Sequence, residues 1–395
     1  MMADFPISLQ VGDLVGPVQV GAIAHGGHCV ARVGSWVIFV RHALPGETVQ
    51  VRITARRQRY GYGDAVAVFD AHPQRVPPPC PVARPGGCGG CDFQHASLPL
   101  QRQLKAAVVA EQLERLAGYH WTGEVEAVPA DTGQGWRTRM RYRVSDDHRL
   151  GLRRHRGHDL VELPEAGCWI AHPGLRPVPG PALTGATPGA EVVQAGVDGA
   201  VLVAGEVVAG PSRLLEQAAG FDFHVEPDGF WQVHPAAADI LVTAVREGLG
   251  PLPGESAWDL YCGVGLFARM LVAQSVTVRA VEWSRPAVAL ARRNVARART
   301  EQGRVERVIR RWPGQVDLVV LDPPRSGCGA TVVAEIARRR PRRVAYVACD
   351  PAALARDLAD FAIHGYQTSE VRAFDLFPMT HHVECLAVLE PDESR

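Results

Sequence analysis

Two residues near the end of the chain, Cys349 and Glu384, are able to do chemistry together. Cys349 stands in VACDPAALARDL, directly after an apolar run that predicts a buried strand, and Glu384 stands in HHVECLAVLE, which predicts a final strand. A thiol at the lip of a cleft can attack a bound substrate, and a carboxylate can accept a proton. An isolated cysteine at a strand end is more often a packing residue, which is how we interpret Cys262, Cys328 and Cys385.

A glycine-containing loop predicts a binding site for a cofactor that contains a nucleoside. The predicted strand SAWDLY runs into CGVGLF, where Gly263 and Gly265 permit a tight turn and a close approach to a ligand. The next predicted strand ends in Glu282, a position from which a carboxylate accepts hydrogen bonds from ribose hydroxyls. A dehydrogenase would show G-x-G-x-x-G, and Ala268 in its last position is tolerated. The loop alone therefore leaves the enzyme class open.

Another predicted strand ends in LDPPRSG, which places Asp322 before a rigid Pro-Pro corner. Ligands bind at the carboxyl ends of the strands in a parallel sheet, so these strand ends should meet at one edge. We therefore expect Cys349, Glu384 and the Pro-Pro corner to converge on one pocket.

Four further cysteines have the spacing of metal ligands. Cys80, Cys88 and Cys91 lie in CPVARPGGCGGC, and Cys168 follows far downstream. The chain has nine cysteines, an odd number, which favours metal binding or catalysis over a disulfide framework. A C-x2-C pair after a third cysteine is a common ligand spacing, but spacing does not separate zinc from an iron–sulfur cluster.

The elements that must position these residues fall into three predicted domains. A chain of 395 residues, 47% hydrophobic and 21% charged, is typical of a globular protein with two or three domains. Residues 5–70 carry short β-type runs and predict a small β-barrel. Residues 71–225 open with a proline-rich stretch and predict an α+β domain, with a helix over 98–117 and a strand, WRTRMRYRV, whose arginines point outward. Residues 226–395 alternate strands and helices, which predicts an α/β fold with a Rossmann-like parallel sheet.

Charge and hydropathy restrict the possible partners. The formal net charge is zero, but the arginines cluster, and each cluster is either an RNA-binding stripe or a solvated face. No apolar stretch reaches roughly eighteen residues, and the start, MMADFPISLQVGD, lacks the features of a signal peptide. We therefore expect a cytoplasmic protein without membrane contact. The arginine clusters are Arg52, Arg56, Arg57 and Arg59; Arg137, Arg139, Arg141 and Arg143; and Arg153, Arg154 and Arg156.

Taken together, the motifs resemble those of the RNA 5-methyluridine (uracil-C5) methyltransferases. DLYCGVGLFA, LDPPRSG, VACDPAALARDL and HHVECLAVLE are similar to four signatures of that family's catalytic domain, and FWQVHPAAADIL is similar to its cofactor-contacting segment. The N-terminal block, with GDLVGPVQVGAIAHGGHCVARV and RHALPGETV, resembles the TRAM domain, an RNA-binding barrel. The resemblance spans nearly the whole chain and implies a class I methyltransferase domain that uses S-adenosylmethionine.

The resemblance also implies roles for individual residues. Cys349 would add to carbon 6 of a uracil and so raise the electron density at carbon 5, and Glu384 would then remove the proton from carbon 5. A helix beginning near Ala352 would help to ionise the thiol. The four cysteines would bind a [4Fe–4S] cluster, in preference to zinc. The residues implied to hold the cofactor are Gln232, Tyr261, Gly263, Gly265, Glu282 and Asp322.

The implied partner is RNA, ribosomal or transfer, with the target uridine in a loop or an unstacked segment and the enzyme acting as a monomer. Three features depart from the family. Asp350 replaces the usual Asn and would raise the pKa of the thiol, Leu266 replaces a frequent polar residue, and the segment GRVERVIRRWPGQVD is short on the side that meets the adenine. Two rivals stay open: an RNA-binding protein or chaperone with a decayed site, and an NAD-dependent oxidoreductase.

Overall fold

The computed structural model describes residues 9–129 and 131–393, so positions 5–8 and 394–395 of the expected first and last domains lie outside the described residues. The first five strands are β1 (Leu14–Ala24), β2 (His28–Val33), β3 (Trp36–Arg41), β4 (Thr48–Arg56) and β5 (Tyr60–Asp70). They close into a barrel in the order β1-β2-β3-β5-β4. Ile38, Val40 and Val51 are buried inside it, as the alternation of apolar residues along the strands predicts.

A single helix, α1 (Leu98–Ala117), connects the barrel with the rest of the molecule. It begins where the Ser97 side chain accepts a hydrogen bond from the N–H of Leu100 and ends at Gly118, whose φ is 62°. Its first half packs into the barrel core through Leu104, and its second half packs into the C-terminal core through Leu113. One helix therefore fixes the barrel against the C-terminal sheet. A short strand, β6 (Val125–Glu126), follows it.

The central region forms a six-stranded sheet in the order β12-β11-β10-β7-β8-β9, followed by a two-stranded sheet, β13-β14. The prediction that the arginines of WRTRMRYRV all point outward is wrong for Arg139. This side chain is buried and donates to the carbonyl oxygens of Pro227 and Gly229, and its partner carboxylate is Glu216. The elements are β7 (Arg139–Val144), β8 (Leu150–Arg153), β9 (Leu160–Glu162), α2 (Gly180–Thr184), β10 (Glu191–Ala195), β11 (Ala200–Val203), β12 (Glu206–Ala209), β13 (Leu214–Ala218) and β14 (Phe221–Val225).

The C-terminal region confirms the expected α/β sheet. Its strands are β15 (Ser256–Leu260), β16 (Thr277–Glu282), β17 (Arg299–Gln302), β18 (Leu318–Leu321), β19 (Arg343–Ala348), β20 (Tyr366–Phe374) and β21 (Glu384–Pro391). With β6 they form one sheet in the order β17-β16-β15-β18-β19-β21-β20-β6. The first five strands in this order are parallel, and β21 is antiparallel to both of its neighbours.

Helices cover both faces of this sheet. They are α3 (Ala237–Leu249), α4 (Leu266–Ala273), α5 (Arg285–Asn294), α6 (Val305–Val308), α7 (Ala330–Arg339) and α8 (Pro351–Ile363). The apolar residues of α3, α4 and α5 form the core on one face, and those of α1, α7 and α8 form the core on the other. Among the helices of the described residues, none is both long enough and apolar enough to cross a bilayer.

Candidate active site

The candidate nucleophile and the candidate base lie opposite each other on neighbouring strands. Strands β19 and β21 are antiparallel, and Ala348 pairs with Cys385 at the end of their ladder. Continuing this register by one residue brings Cys349 opposite Glu384. The strand ends here because Asp350 begins α8, where its side chain accepts a hydrogen bond from a backbone N–H of the first turn.

The surroundings of Cys349 keep its thiol protonated. Burial is the main reason that the pKa of Cys349 is raised to about 11. The carboxylates of Glu384, Asp322 and Asp350 act in the same direction, and the guanidinium of Arg325 opposes them. Burial and the three carboxylates therefore act against the ionisation that the start of α8 is expected to favour. Asp350 raises the pKa of Cys349, which is the direction that the sequence predicts.

Glu384 and Asp322 hold protons more tightly than free carboxyl groups do. Glu384 is 4% exposed at the start of β21, and Asp322 follows β18 at the same edge of the sheet. Burial raises the pKa of both groups, and the charge of Asp322 raises the pKa of Glu384 further, against the effect of Arg325. Two neighbouring buried carboxylates do not both ionise easily, so such a pair favours a state in which one of the two carries a proton.

A cavity of about 140 Å³ opens beside Cys349. This is less than the roughly 300–1,000 Å³ of pockets that enclose whole small molecules, so the cavity suits a group the size of a base. Separate parts of the chain form its walls: the turn between β1 and β2, helix α1, the corner after β18, the start of α8 and the loop before β21. The polar residues that these parts contribute are His25, Lys105, Arg325, Asp350, His381 and His382.

Sequence analysis gave no role to five of these six residues, Asp350 being the exception. The signal that was present is the pairing of histidines in HGGH and HHVE, two motifs at opposite ends of the chain. Neither histidine motif predicts a site by itself, because only the fold brings the two motifs together.

Two buried carboxylates, Asp92 and Asp375, hold these walls together through ion pairs. Asp92 pairs with Arg41 at the end of β3, at 3.2 Å, and with the Nδ1 of His381, at 2.6 Å. Burial alone would raise the pKa of Asp92, but the hydrogen bond and charge of His381 and the charge of Arg41 lower it. Lys105 of α1 donates from Nζ to Asp375, at 2.5 Å, in the segment after β20. Barrel, helix and the loop before β21 are thus joined by charged groups.

The expected cofactor site lies at the carboxyl ends of β15 and β16. Both oxygens of Glu282 accept backbone hydrogen bonds, from the N–H of Gly263 at 3.1 Å and from the N–H of Ser284 at 2.7 Å. The φ angles of Gly263 and Gly265 are 53° and 96°. A side chain added at Gly263 would meet no atom within 4 Å, so there is open space against this turn. The turn can therefore receive a ligand.

The other expected cofactor ligands lie at different depths. Tyr261 is half-buried and packs against the core on the α7 and α8 face, and Gln232 is buried between β14 and α3.

Two residues missed by sequence analysis also lie near the expected cofactor site. Trp283, beside Glu282, is 66% exposed, and Asp259 is buried with its Oδ1 unpartnered among the described residues and its pKa raised by burial to about 8.

The expected four-cysteine metal site is not supported. Cys80, Cys88, Cys91 and Cys168 all line one cavity of about 400 Å³. However, over residues 9–129 and 131–393 no group of three or more His, Cys, Asp or Glu side chains is arranged to hold a metal ion. Burial raises the pKa of Cys88 to about 11 and raises the pKa values of Cys91 and Cys168 as well.

Family models match three parts of the chain. A model described as tRNA (Uracil-5-)-methyltransferase matches residues 309–391, a TRAM domain model matches residues 15–66, and a methyltransferase small domain model matches residues 235–338. The matches cover the barrel, the expected cofactor site and the chain segments that contain Cys349 and Glu384.

Whole-length relatives share the name RNA methyltransferase. An uncharacterized RNA methyltransferase of Streptomyces avermitilis is 46% identical, over 95% of this chain and 98% of its own. Another, of Bifidobacterium longum, is 35% identical, over 94% of this chain and 95% of its own. Among solved structures, the tRNA (uracil-54, C5)-methyltransferase of Pyrococcus abyssi in complex with S-adenosyl-L-homocysteine superposes with a TM-score of 0.70. It is 23% identical and covers 94% of this chain and 99% of its own, which shows a shared fold.

Proposed function

This chain belongs to the S-adenosylmethionine-dependent RNA (uracil-C5) methyltransferases, and we propose that it forms 5-methyluridine through a covalent bond between Cys349 and carbon 6 of the base. The observation that carries the proposal is the antiparallel register that brings Glu384 opposite Cys349, the residue that lines a base-sized cavity. A thiol and a carboxylate in this arrangement can act on the two adjacent carbons of one pyrimidine ring.

The reaction needs the thiol because carbon 5 of uracil is a weak nucleophile. Cys349, as the thiolate, adds to carbon 6, and the electrons of the C5–C6 double bond move onto the carbonyl oxygen as an enolate. S-adenosylmethionine, when bound, supplies an electrophilic methyl group for carbon 5. Glu384 then accepts the proton that carbon 5 carries, the double bond re-forms, and Cys349 leaves as the thiolate. The cycle releases one proton and returns both residues to their starting states.

Ionisation of the thiol is the step that the pocket makes difficult. With the pKa of Cys349 raised to about 11, only a small fraction is thiolate at neutral pH. Arg325 is a cation in the same pocket, and its charge favours the thiolate. We therefore expect the rate of covalent attack to rise as the pH rises through neutrality, since the thiolate fraction rises with it.

The cofactor is assigned to the turn after β15. Glu282 would accept the ribose hydroxyls, and the open space at Gly263 would receive the adjacent part of the molecule. The exposed indole of Trp283 gives the adenine a surface on which to stack, which replaces the polar contact that the short segment after β17 lacks. Gly265, Tyr261, Asp322 and Gln232 complete the proposed set.

The four cysteines carry a separate proposal, a [4Fe–4S] cluster. It is supported by the chemistry of four thiols lining one cavity, and a cluster needs its ligands further apart than a single ion does. No step of methyl transfer is routed through it. Anaerobic purification followed by assays of iron and sulfide tests the assignment, with about four of each per chain expected. Their absence, with the fold unchanged, would leave the four residues as ordinary thiols.

The decisive experiment combines RNA, S-adenosylmethionine and mass spectrometry of the nucleosides. The wild-type protein should give 5-methyluridine, and Cys349→Ala should give none. Glu384→Gln should accumulate a covalent adduct between protein and RNA, because the methylated intermediate keeps its proton at carbon 5. Cys328→Ala, at a half-buried cysteine beyond the end of β18, is the matched control and should react normally.

Two results would overturn the proposal. Methylation at the wild-type rate by Cys349→Ala would exclude the nucleophile, and the absence of any adduct in Glu384→Gln would exclude the base. If no heat of binding were measured with S-adenosylmethionine, while RNA still bound, the chain would instead be an RNA-binding protein whose transfer site has decayed.

A further inference from the structure

The barrel does more than lie beside the methyltransferase domain, because one of its turns forms a wall of the nucleophile pocket. The turn between β1 and β2 contributes His25, Gly26 and Gly27 to the cavity that contains Cys349. The approach is close: a side chain at Gly27, whose φ is 78°, would lie 2.7 Å from the Cβ of His381. The turn is therefore packed against the catalytic edge of the sheet.

The turn also makes a direct polar contact with the residue that follows the nucleophile. The Nε2 of His25 lies 3.1 Å from the Oδ2 of Asp350, and the other oxygen of Asp350, Oδ1, accepts from the N–H of Ala353 at 2.8 Å. One carboxylate oxygen thus caps α8 and the other faces the barrel. With both oxygens engaged, the side chain of Asp350 has one preferred orientation.

The charges on the two partners are complementary. The hydrogen bond that His25 makes to Asp350 is the largest cause that raises the pKa of His25, against the effect of burial. Burial would raise the pKa of Asp350, but the hydrogen bond from His25 and that from the helix N–H lower it. The pair is therefore a salt bridge over a pH range that extends above the ordinary pKa of histidine.

We propose that His25 of the barrel is a positioning residue for the nucleophile: it holds Asp350 and offsets its negative charge, so that the neighbouring Cys349 can ionise. The inference rests on the proposed function for its effect on methylation. An uncompensated carboxylate at position 350 would disfavour a second negative charge on the adjacent sulfur. The positive charge of the barrel histidine thus reduces the unfavourable effect that the carboxylate of Asp350 has on the ionisation of the thiol.

The pH dependence has a definite sign. Below the raised pKa of His25 the imidazolium is present and offsets Asp350, and above that pKa the offset is lost. Other charges act on the same groups. Glu111 of α1 and Arg356 of α8 act on His25 with opposite signs. Those that act on Cys349 besides Asp350 are Glu384, Asp322 and Arg325, and His381, His382 and Lys105 share its cavity.

A double-mutant cycle isolates the pair. The proteins are the wild type, His25→Ala, Asp350→Asn and the double variant, and asparagine keeps the cap of α8. The first readout is the rate at which iodoacetamide alkylates Cys349, followed by mass spectrometry of its peptide between pH 6 and 10, without RNA. The second readout is single-turnover methylation. His120→Ala is the matched control, because His120 pairs with Glu114 on the surface of the molecule.

At pH 7, His25→Ala should slow alkylation of Cys349 by about 2- to 5-fold, the size of effect that partly exposed ion pairs produce, and shift its pH profile to higher pH. Asp350→Asn should alkylate at least as fast as the wild type, and the double variant should match Asp350→Asn. Methylation should follow the same order through kcat, with the KM for RNA unchanged.

If His25→Ala slows alkylation equally whether position 350 is Asp or Asn, the histidine does not act through the carboxylate and the proposal is wrong. It is also wrong if the pH profile of His25→Ala is unshifted. Failure of the proposed function looks different: Cys349→Ala would then still methylate RNA, while the alkylation cycle would keep its pattern.

Discussion

The cofactor edge, our name for the proposed cofactor site at Gly263, Gly265 and Glu282, and the pocket of the proposed nucleophile Cys349 lie at the same end of one sheet, but they are built in opposite ways. At the cofactor edge, the hydrogen bond between Gly263 and Glu282 joins residues 19 apart in the sequence. At the nucleophile pocket, Lys105 and Asp375 are 270 residues apart, Asp92 and His381 are 289 apart, and His25 and Asp350 are 325 apart. One site is local, and the other is assembled from the barrel, helix α1 and the C-terminal sheet.

This difference has consequences for how each site responds to change. A local turn keeps its geometry as long as its own strands form, so damage to it should stay local. The nucleophile pocket depends on the correct packing of the barrel, α1 and the last strands, because each of them forms part of its walls. Buried ion pairs join these parts, and the loss of one partner of such a pair lowers the free energy of unfolding strongly. Substitutions at the two sites should therefore differ in kind as well as in size.

The largest effect should follow from Asp375→Ala. Lys105 is buried, and its Nζ donates to Asp375, so removal of the carboxylate leaves a buried ammonium without its counter-charge. We expect a loss of about 3–5 kcal/mol in the free energy of unfolding, measured by urea titration. The loop before β21 should lose its position as well, so methylation should fall even where the protein remains folded.

The matched control for that prediction removes both charges. Lys105→Met combined with Asp375→Leu replaces the ion pair by apolar groups of similar size and should recover most of the stability. If Asp375→Ala alone unfolded at the same urea concentration as the wild type, the ion pair would not hold the pocket, and the contrast between the two sites would fail.

The same contrast separates what the sequence could predict from what it could not. Gly263, Gly265 and Glu282 could be located because a strand, a turn and the next strand carry them in one short stretch, and the spacing alone puts them at one edge. Cys349 and Glu384 could be placed at strand ends from the sequence. That they lie opposite each other depends on the antiparallel pairing of β21 with β19, which no local sequence pattern predicts.

The remaining errors have physical causes of the same kind. The alternation of WRTRMRYRV predicted outward arginines, but Arg139 is buried because carbonyl groups of the distant segment 227–229 need donors. His25, Asp92 and Lys105 could not be assigned, since each acquires its role from a partner hundreds of residues away. A lowered pKa for Cys349 was expected from the helix that follows it, and the burial of the thiol reverses the sign.

An intermediate effect, confined to one substrate, should follow from Glu282→Ala. Removing this carboxylate takes away the proposed acceptor for the ribose and the acceptor of two backbone N–H groups. We expect the KM for S-adenosylmethionine to rise about 10- to 100-fold, the value of hydrogen bonds to a charged group, with kcat changed by less than about twofold. Alkylation of Cys349 by iodoacetamide should be unchanged, because the nucleophile pocket does not depend on this turn.

Glu390→Ala, near the far end of β21, is the control for that substitution and should leave both kinetic constants at their wild-type values. A fall in the alkylation rate of Cys349 in Glu282→Ala would contradict the local character of the cofactor edge. An unchanged KM for S-adenosylmethionine would remove Glu282 from the proposed cofactor set.

The smallest effect should separate two arginines that the sequence presents alike. Arg59 lies in the turn between β4 and β5 of the barrel, is exposed, and has no carboxylate partner within the described residues, whereas Arg143 of β7 pairs with Glu191 at 3.0 Å. A phosphate is neutralised by a cation that is not already neutralised. Arg59→Ala should therefore weaken RNA binding by about 2- to 5-fold. It should also reduce the slope of log K against log salt concentration by about one, whereas Arg143→Ala should change neither quantity. Titrations of labelled RNA at several salt concentrations measure both quantities, and equal effects of the two substitutions would mean that Glu191 releases Arg143 when RNA binds.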